Sequence, residues 1–210
     1  MVFRDRADAA RRLAARLTHY RGRAPLVLAI PRGAVPMAGI IASELGGEMD
    51  VVLVHKLGAP GNPEYAIGSV DETGRLLLND DAGVALADTD YVEHERQAQL
   101  AVLQARRRRY TPVRPPLDPA GRVAIVIDDG IATGATMAAA LRAVRAADPA
   151  VLVAAVPVAA PEALQRIRRE ADEVICLEAP ESFFAVGQFF EQFEQVSDEE
   201  VMELLRSGTG

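Results

Sequence analysis

The chain is poor in the residues that most often carry covalent, redox or metal chemistry. Its 210 residues include no tryptophan, one cysteine and three histidines. Because Cys176 is the only cysteine, an intrachain disulfide and a CxxC site are both excluded. The apolar run 174–177 around it indicates a thiol within a buried strand. His19, His55 and His94 share no spacing typical of a metal site or a catalytic triad, so we assign them no role.

Long apolar runs and an excess of positive charge are also missing. No apolar run reaches membrane-spanning length, and the first eight residues lack the apolar core of a signal peptide. We therefore expect a cytoplasmic protein with no membrane partner. The net charge of −7 argues against general nucleic-acid binding. The one basic run, Arg106–Arg109, favours a solvated helix face over a phosphate-binding patch.

What is present is the pattern of an α/β protein. Half of the residues are hydrophobic, and 210 residues are enough for one domain, residues 1–210, with a substantial core. Apolar runs bounded by turn residues alternate with helical patterns, which predicts an open, mainly parallel five-stranded sheet with helices on both faces. The predicted strands are Leu26–Ile30, Val51–Val54, Ala124–Ile127, Leu152–Val156 and Glu173–Leu177. The predicted helices are about Asp5–Leu17, Val35–Leu45, Ala135–Ala147, Pro161–Glu170 and a last one from Ser197, where Ser197–Glu200 forms a capping box.

Residues 58–116 interrupt this alternation and predict an insertion made of a flexible loop, a hairpin and a helix. Gly58–Pro63 contains too many breakers for a helix or a strand and is predicted as a loop. Ile67–Val70 and Arg75–Leu78 flank a turn sequence and predict a hairpin. Thr89–Tyr110 has helical periodicity with mixed charge.

The most informative stretch is residues 123–136, VAIVIDDGIATGAT. An apolar strand ends in two adjacent carboxylates, Asp128 and Asp129, and a Gly/Thr turn opens into an Ala-rich helix. Open α/β sheets bind ligands at the carboxyl ends of their strands, where the N-terminus of a helix attracts phosphate. Paired acids suit vicinal hydroxyls or a hydrated Mg²⁺. A generic strand–turn–helix connection would explain the glycines but not the acids, so we interpret the stretch as a sugar-phosphate site.

This stretch resembles the signature of type I phosphoribosyltransferases, which hold 5-phosphoribosyl-1-pyrophosphate (PRPP) on such a loop. The resemblance extends from about Val27 to Glu191, without the insertion. It implies that Asp128 and Asp129 bind the ribose 2′- and 3′-hydroxyls and contribute to a metal site, partly through water or ribose. It also implies that the turn binds the 5′-phosphate with its backbone N–H groups and two threonine hydroxyls; its PRPP-binding residues are then Gly130, Ile131, Ala132, Thr133, Gly134, Ala135 and Thr136.

Two further segments are similar to pyrophosphate-binding parts of that family. Arg32 and Gly33 follow the first predicted strand and resemble its pyrophosphate loop, in which a strained, often cis, peptide aims N–H groups at the ligand. Alone, Pro-Arg-Gly is an ordinary turn. Lys56 stands where family members often carry a cation that reaches pyrophosphate; the alternative is a surface lysine. Glu64 lies where the family keeps a mobile lid and is our candidate for handling the proton, although a two-residue match to Glu-Tyr also arises by chance.

Residues 178–210 are predicted as a small hood and a C-terminal helix. Phe184 falls where an aromatic ring stacks on the base in purine phosphoribosyltransferases, although phenylalanines more often belong to a core. The resemblance also implies that Glu191 meets the metal–pyrophosphate. Ala132 stands at a base-facing position where members acting on 6-oxopurines carry an acid, and residues 157–160 lack their lysine. Hypoxanthine and guanine are therefore disfavoured as acceptors, whereas adenine- and orotate-type members lack that acid too.

The resemblance implies a Mg²⁺-dependent transfer of phosphoribose from PRPP to a nitrogenous base, with pyrophosphate as product and a role in nucleobase salvage. An alternative is a non-catalytic regulator that senses PRPP or a nucleotide. A third possibility, transfer to water, is weaker because no side chain is visibly placed to activate water. A homodimer is expected from the family's habits. Tyr91 and Leu100 on the insertion helix are candidates for its interface or, equally, for packing on the core.

Overall fold

A five-stranded parallel sheet forms the centre of the fold, in the order β2-β1-β6-β7-β8. The computed structural model describes residues 2–78, 89–110, 112 and 115–207, with the backbone alone for 63–66. In chain order its elements are α1 (Arg6–Arg16), β1 (Leu26–Ala29), α2 (Val35–Leu45), β2 (Glu48–Val51), β3 (Val54–Ala59), β4 (Asn62–Asp71), β5 (Leu76–Leu78), α3 (Thr89–Tyr110), β6 (Val123–Ile127), α4 (Ala135–Arg145), β7 (Val151–Val158), α5 (Pro161–Ile167), β8 (Glu173–Glu178) and α6 (Asp198–Ser207).

Both faces of the parallel sheet are covered, because its central strands are apolar at every position. Successive side chains of a strand point to opposite faces. Val27 and Ile125 therefore join the core shared with α1 and α2, whereas Leu28 and Val126 join the core shared with α4 and α5. The predicted open α/β sheet with helices on both faces is confirmed.

Local signals explain where the helices begin. The side chain of Asp5 accepts a hydrogen bond from the Asp8 N–H at 2.7 Å and caps α1. At α6 the capping box is confirmed: Ser197 N–H donates to Glu200 Oε2 at 2.7 Å, and Glu200 N–H donates to Ser197 Oγ at 3.1 Å.

Within the described residues, no helix is both long and apolar enough to cross a membrane.

The insertion contains a second, antiparallel sheet in the order β3-β4-β5. The predicted hairpin is confirmed, since β4 pairs with β5 from Gly68↔Leu78 to Val70↔Leu76. The predicted loop at residues 58–63 is wrong: β3 runs to Ala59 and β4 begins at Asn62. Two register shifts around Gly58 and a positive φ of 73° at Gly61 let this glycine-rich segment form a strand pair.

The second predicted strand is misplaced. The parallel strand is β2, and Val54 belongs to β3. The misplacement arises at Asp50, an acid inside the strand that is only 2% exposed. Its carboxylate accepts hydrogen bonds from Val51 N–H at 2.7 Å and Leu117 N–H at 2.8 Å, and it lies 3.4 Å from Arg107 Nη1.

The basic run on α3 is only partly the solvated face that its composition favours, since Arg108 and Arg109 are exposed whereas Arg106 and Arg107 are half-buried. The guanidinium of Arg107 is largely buried and bonds Glu72, Asp50 and the carbonyl of Val51 at 3.1 Å. Arg109 bonds Asp198 of α6 at 2.6 Å. Two members of the run therefore join the insertion helix to the rest of the fold.

Tyr91 and Leu100 of α3, the two candidates for a dimer interface, both make contacts within the chain. The Tyr91 hydroxyl donates a hydrogen bond to Gly58 O at 3.0 Å, and Leu100 packs beside Gly74. These contacts agree with the alternative that both side chains pack on the core.

Cys176 is partly buried in β8, and this burial raises the pKa of its thiol to about 11.

Candidate functional site

The candidate site lies at the carboxyl edge of the parallel sheet, where the chain changes its direction across the strands. From β1 the chain moves outward to β2, whereas β6 lies on the other side of β1 and leads to β7 and β8. Open α/β sheets bind ligands at such a switch point. The loops after β1 and β6, residues 30–34 and 128–134, face each other here.

The two acids after β6 lie side by side at the end of a strand that is buried at every position. Both are partly exposed, and Asp128 Oδ1 accepts a hydrogen bond from the Asp129 N–H at 2.9 Å. Burial and the negative charge of Asp129 raise the pKa of Asp128 well above its ordinary value. Asp129 Oδ2 accepts two hydrogen bonds from Arg6, from Nη2 at 2.8 Å and Nε at 3.0 Å.

The turn after the acids presents the N-terminus of α4. Gly134 occupies the N-cap with a φ of 78° and supplies no side-chain cap. The Ala135 N–H makes only a long contact of 3.4 Å to Thr133 Oγ1, so the first turn of the helix can present N–H groups to a ligand. Thr133 and Thr136 are exposed beside them. The expectation for Ile131 requires a correction: its N–H donates to Val158 O at 2.9 Å and holds the turn to β7, so it does not point to a phosphate.

The loop after β1 touches the acid loop directly. A β-carbon placed on Gly33 would lie 2.0 Å from Asp129 Oδ2, so only glycine admits the carboxylate at this distance. The peptide bond between Pro31 and Arg32 is cis, the form that the resemblance implies for a pyrophosphate loop. Gly130 is equally restricted, because a β-carbon there would lie 2.4 Å from Val186 Cγ1 in the hood.

A cleft of about 250 Å³ opens beside these loops. Its walls include Pro31, Thr136, Lys56 and Arg106. Lys56 lies inside β3 rather than at the end of a parallel strand, yet it lines the same cleft as Pro31 of the predicted pyrophosphate loop. Arg106 comes from α3, so one arginine of the basic run does line a cleft.

His55 lies in the same wall and is one of the three histidines to which the sequence analysis assigned no role. Burial lowers the pKa of His55, and the charges of Arg106 and Lys56 lower it further against the opposing charge of Glu95. With two cations and no carboxylate among its described lining residues, the cleft favours an anion.

The hood carries an aromatic side chain that is almost fully exposed. Phe184 is 89% exposed, whereas Phe183 packs on Phe189 with ring centroids 5.2 Å apart. The Gln188 side chain closes the loop around Phe184: its Oε1 accepts from Phe184 N–H at 3.2 Å, and its Nε2 donates to Ser182 O at 3.2 Å. The alternative that these phenylalanines belong to the core therefore holds for Phe183 but not for Phe184.

The prediction for Glu64 falls outside the described residues: its backbone lies on β4, and its side chain is not described. Glu191 is not brought into this arrangement. Glu191 is exposed, and its N–H donates to Phe3 O at 2.9 Å. In the part of the chain that the structure describes, no three His, Cys, Asp or Glu side chains gather as a metal cluster, so Glu191 does not complete one with Asp128 and Asp129.

Arg6, Arg106 and His55 were missed as site residues. Arg6 precedes Asp129 by 123 positions and lies in a helix with several arginines, so no local pattern distinguishes it. Arg106 and Arg107 are adjacent, and only the packing of α3 on β3 assigns one to the cleft and the other to a buried ion pair. A signal existed only for His55, which directly precedes the predicted ligand Lys56.

The strand order, the acid pair and the phosphate-type turn at the switch point define a fold of the type I phosphoribosyltransferase class. The chain belongs to the phosphoribosyl transferase domain family, whose model matches residues 3–194.

Its relatives agree with this assignment. A crystal structure of TT1426 from Thermus thermophilus superposes with a TM-score of 0.92, at 47% identity over the whole of both chains. A Mycobacterium tuberculosis H37Rv protein named "Putative phosphoribosyl transferase Rv0571c" is 44% identical over 206 residues, which are 97% of this chain and 46% of that protein. The chain thus spans about half the length of the curated relatives it matches.

Proposed function

We propose that this chain transfers the 5-phosphoribosyl group of PRPP to a nitrogenous base and releases pyrophosphate, as an enzyme of nucleobase salvage. The observation that carries the proposal is the meeting of three binding elements at one switch point. These are the acid pair, the uncapped N-terminus of α4 and a cationic cleft beside the Pro31–Gly33 loop. A ligand with a ribose flanked by a phosphate and a pyrophosphate would use all three.

Each element suits one part of PRPP. The N–H groups of α4 and the hydroxyls of Thr133 and Thr136 would hold the 5′-phosphate, since a helix N-terminus binds a dianion without a lysine. Asp128 and Asp129 would accept hydrogen bonds from the ribose hydroxyls. Arg32, Gly33 and Lys56 would surround the pyrophosphate. Among the predicted ligands, the N–H of Ile131 donates to Val158 O, and the N–H of Ala135 lies 3.4 Å from Thr133 Oγ1.

The chemistry requires little covalent work from the protein. A base nitrogen would attack C1 of the ribose, the bond from C1 to the pyrophosphate oxygen would break, and the electron pair would leave with pyrophosphate. Positive charge on the ribosyl carbon and negative charge on the leaving group develop together, so fixed positions and local cations lower the barrier. Phe184 would stack on the base, and Glu64 is the residue that we propose takes its proton.

Magnesium fits this donor set as a partner of the substrate. Mg²⁺ keeps several waters and binds through one or two carboxylates together with substrate phosphates, so a cluster of three protein ligands is not needed. Asp128 and Asp129 would hold it, partly through water or ribose. When bound, the ion would neutralise charge on the pyrophosphate.

Calorimetric titration with PRPP tests the proposal, with and without Mg²⁺, on the wild type and on Asp128→Asn and Asp129→Asn. We expect micromolar binding by the wild type that requires both the metal and the acids. A screen of adenine, orotate, hypoxanthine and guanine for pyrophosphate release would then identify the acceptor. Absence of PRPP binding by the wild type under either condition would contradict the proposal.

The same experiment separates the enzyme from a PRPP-sensing regulator. Tight PRPP binding without pyrophosphate release for any base would favour the regulator. The structure weakens one argument for it, because Arg107 and Arg109 of the basic run bond acids within the chain and do not form an open basic face. A homodimer stays a prediction, and sedimentation of the purified chain would test it.

A further inference from the structure

Arg6 joins four parts of the chain around the acid pair. It is the first residue of α1, and its guanidinium bonds Asp129 on the acid loop. It also donates to Glu194 O at 2.6 Å and lies over the ring of Phe193 at 3.9 Å from the centroid. Asp129 Oδ2 in turn lies against Gly33. We infer that Arg6 is a positioning residue that orients Asp129 toward the ribose of the ligand and connects the ribose site to the hood; this inference rests on the proposed function.

The geometry of the ion pair leaves one carboxylate oxygen for a ligand. Both hydrogen bonds from Arg6 end on Oδ2 of Asp129, the oxygen that faces Gly33. Held at this oxygen by a planar guanidinium, the carboxylate has a fixed orientation, and Oδ1 remains to accept a hydroxyl hydrogen bond.

The charge of Arg6 matters as much as its hydrogen bonds. PRPP carries several negative charges, and two uncompensated carboxylates beside it would repel the ligand. The side chains of Arg6 and Asp129 are only 13% and 16% exposed, so solvent screens this interaction weakly. Arg6 therefore lets an acidic ribose site coexist with a polyanionic ligand.

The backbone explains why an N-terminal arginine reaches this site. Phe3 N–H donates to Phe189 O at 2.8 Å, and Gln192 N–H donates to Arg4 O at 2.9 Å, so the segment before α1 runs alongside the end of the hood. The hood also touches the acid loop where Val186 packs on Gly130. Arg6 lies between these contacts, and a change in the hood is thereby transmitted to Asp129.

The test compares three ligands on Arg6→Gln, which removes the charge and the fork of donors. Calorimetry would measure PRPP and ribose 5-phosphate with Mg²⁺ present, and inorganic pyrophosphate without Mg²⁺, so that no metal ion links it to the acid pair. We expect Kd to rise by roughly ten- to a hundredfold for the two ribose ligands, the range for hydrogen bonds to charged groups. Kd for metal-free pyrophosphate should change by less than about twofold, because its proposed site is the Lys56 cleft and not Asp129.

A double-mutant cycle shows whether Arg6 acts through Asp129. In the Asp129→Asn background, Arg6→Gln should have little further effect on PRPP binding. Arg6→Lys keeps the positive charge but lacks the paired guanidinium donors, so it should bind PRPP more tightly than Arg6→Gln. If Arg6→Gln does not fold, Arg6→Lys takes its place in the cycle. Arg11→Gln, an exposed arginine on the same helix, is the matched control.

Three results would overturn the inference. Equal weakening of all three ligands would show a merely structural role, and additive effects in the cycle would show that Arg6 does not act through Asp129. Tighter PRPP binding by Arg6→Gln would show that Arg6 competes with the ribose. If the wild type binds neither PRPP nor ribose 5-phosphate, the proposed function itself fails.

Discussion

Gly33 and Asp129 approach so closely that a β-carbon on Gly33 would lie 2.0 Å from the carboxylate oxygen Oδ2. They belong to loops almost a hundred positions apart in the chain, and their contact joins the predicted pyrophosphate loop to the predicted ribose site. The same carboxylate oxygen is bonded by Arg6. Any displacement of Asp129 therefore disturbs three segments at once.

Gly33→Ala should separate these loops. The methyl group cannot be accommodated without moving the carboxylate, and overpacking of this kind costs about 1–3 kcal/mol of stability. We expect at least a roughly tenfold rise in the Kd for PRPP, measured by calorimetry, because the acid is displaced from the ribose. Gly39→Ala, within α2, is the control, since a β-carbon on Gly39 would lie at an ordinary contact distance of 3.5 Å from Met49 Sδ. It should keep wild-type binding; an equal loss in both variants would contradict the argument.

Arg107 should be essential to stability rather than to ligand binding. Arg107→Met leaves the carboxylates of Asp50 and Glu72 without their cation in a poorly hydrated position, and breaking a buried pair in this way costs about 3–5 kcal/mol. Urea unfolding followed by circular dichroism would measure the loss. Arg108→Gln changes an exposed arginine beside it and should stay within about 0.5 kcal/mol of the wild type. A loss below about 1 kcal/mol for Arg107→Met would show that the network is not stabilising.

The fold was more predictable than the site because its signals are local. The apolar strands, the capping box at Ser197 and the hairpin around Asp71 all follow from residues close in sequence. The errors arose where a distant partner decides the structure. Asp50 occurs inside a strand because Arg107, 57 positions later, bonds its carboxylate.

The candidate site divides in the same way. The two acids and the turn after them form a contiguous motif and were found, whereas Arg6 and Arg106 reach the site from α1 and α3 and carry no motif of their own. Ile131 shows the converse: it lies within the motif, but the β7 carbonyl of Val158 takes its N–H.

The cationic cleft gives a prediction for the leaving group. Lys56→Gln and Arg106→Gln should each raise the Kd for inorganic pyrophosphate by roughly tenfold, the effect of losing a hydrogen bond to a charged group. The effect should diminish as ionic strength rises. Arg108→Gln, on the same helix as Arg106 but exposed, should change nothing. Unaltered pyrophosphate binding in the first two variants would show that the cleft is not the pyrophosphate site.

The edge of the sheet offers a prediction about pH. Hydrogen bonds from Arg145, at 2.8 and 3.1 Å, and from the Leu152 N–H lower the pKa of Asp172 below its ordinary value of 3.8. Because the folded-state pKa is the lower one, this stabilisation is present above pH 3.8 and is lost as pH falls through the folded-state pKa. It is small, since both side chains are nearly half exposed.

Arg145→Gln should raise the pKa of Asp172 toward 3.8, measured by carbon NMR of the carboxyl group. Arg142→Gln is the matched control, because Arg142 bonds Glu170 instead. The pKa of Asp172 should be the same in this control as in the wild type. An unchanged pKa in Arg145→Gln would mean that the ion pair does not form in solution.

Phe184 and Phe183 are adjacent phenylalanines with opposite environments, which allows the stacking role to be separated from packing. Phe184→Ala removes an exposed ring and leaves the backbone N–H that Gln188 binds, so its melting temperature should match that of the wild type. Stacking on a base is worth about 1–3 kcal/mol, so Phe184→Ala should raise the KM for whichever base the screen identifies by roughly five- to 150-fold. PRPP affinity should not change. Phe183→Ala should instead lower the melting temperature, because it removes the contact with Phe189. If Phe184→Ala leaves the KM for the base unchanged, the exposed ring has another purpose and the hood does not bind the acceptor by stacking.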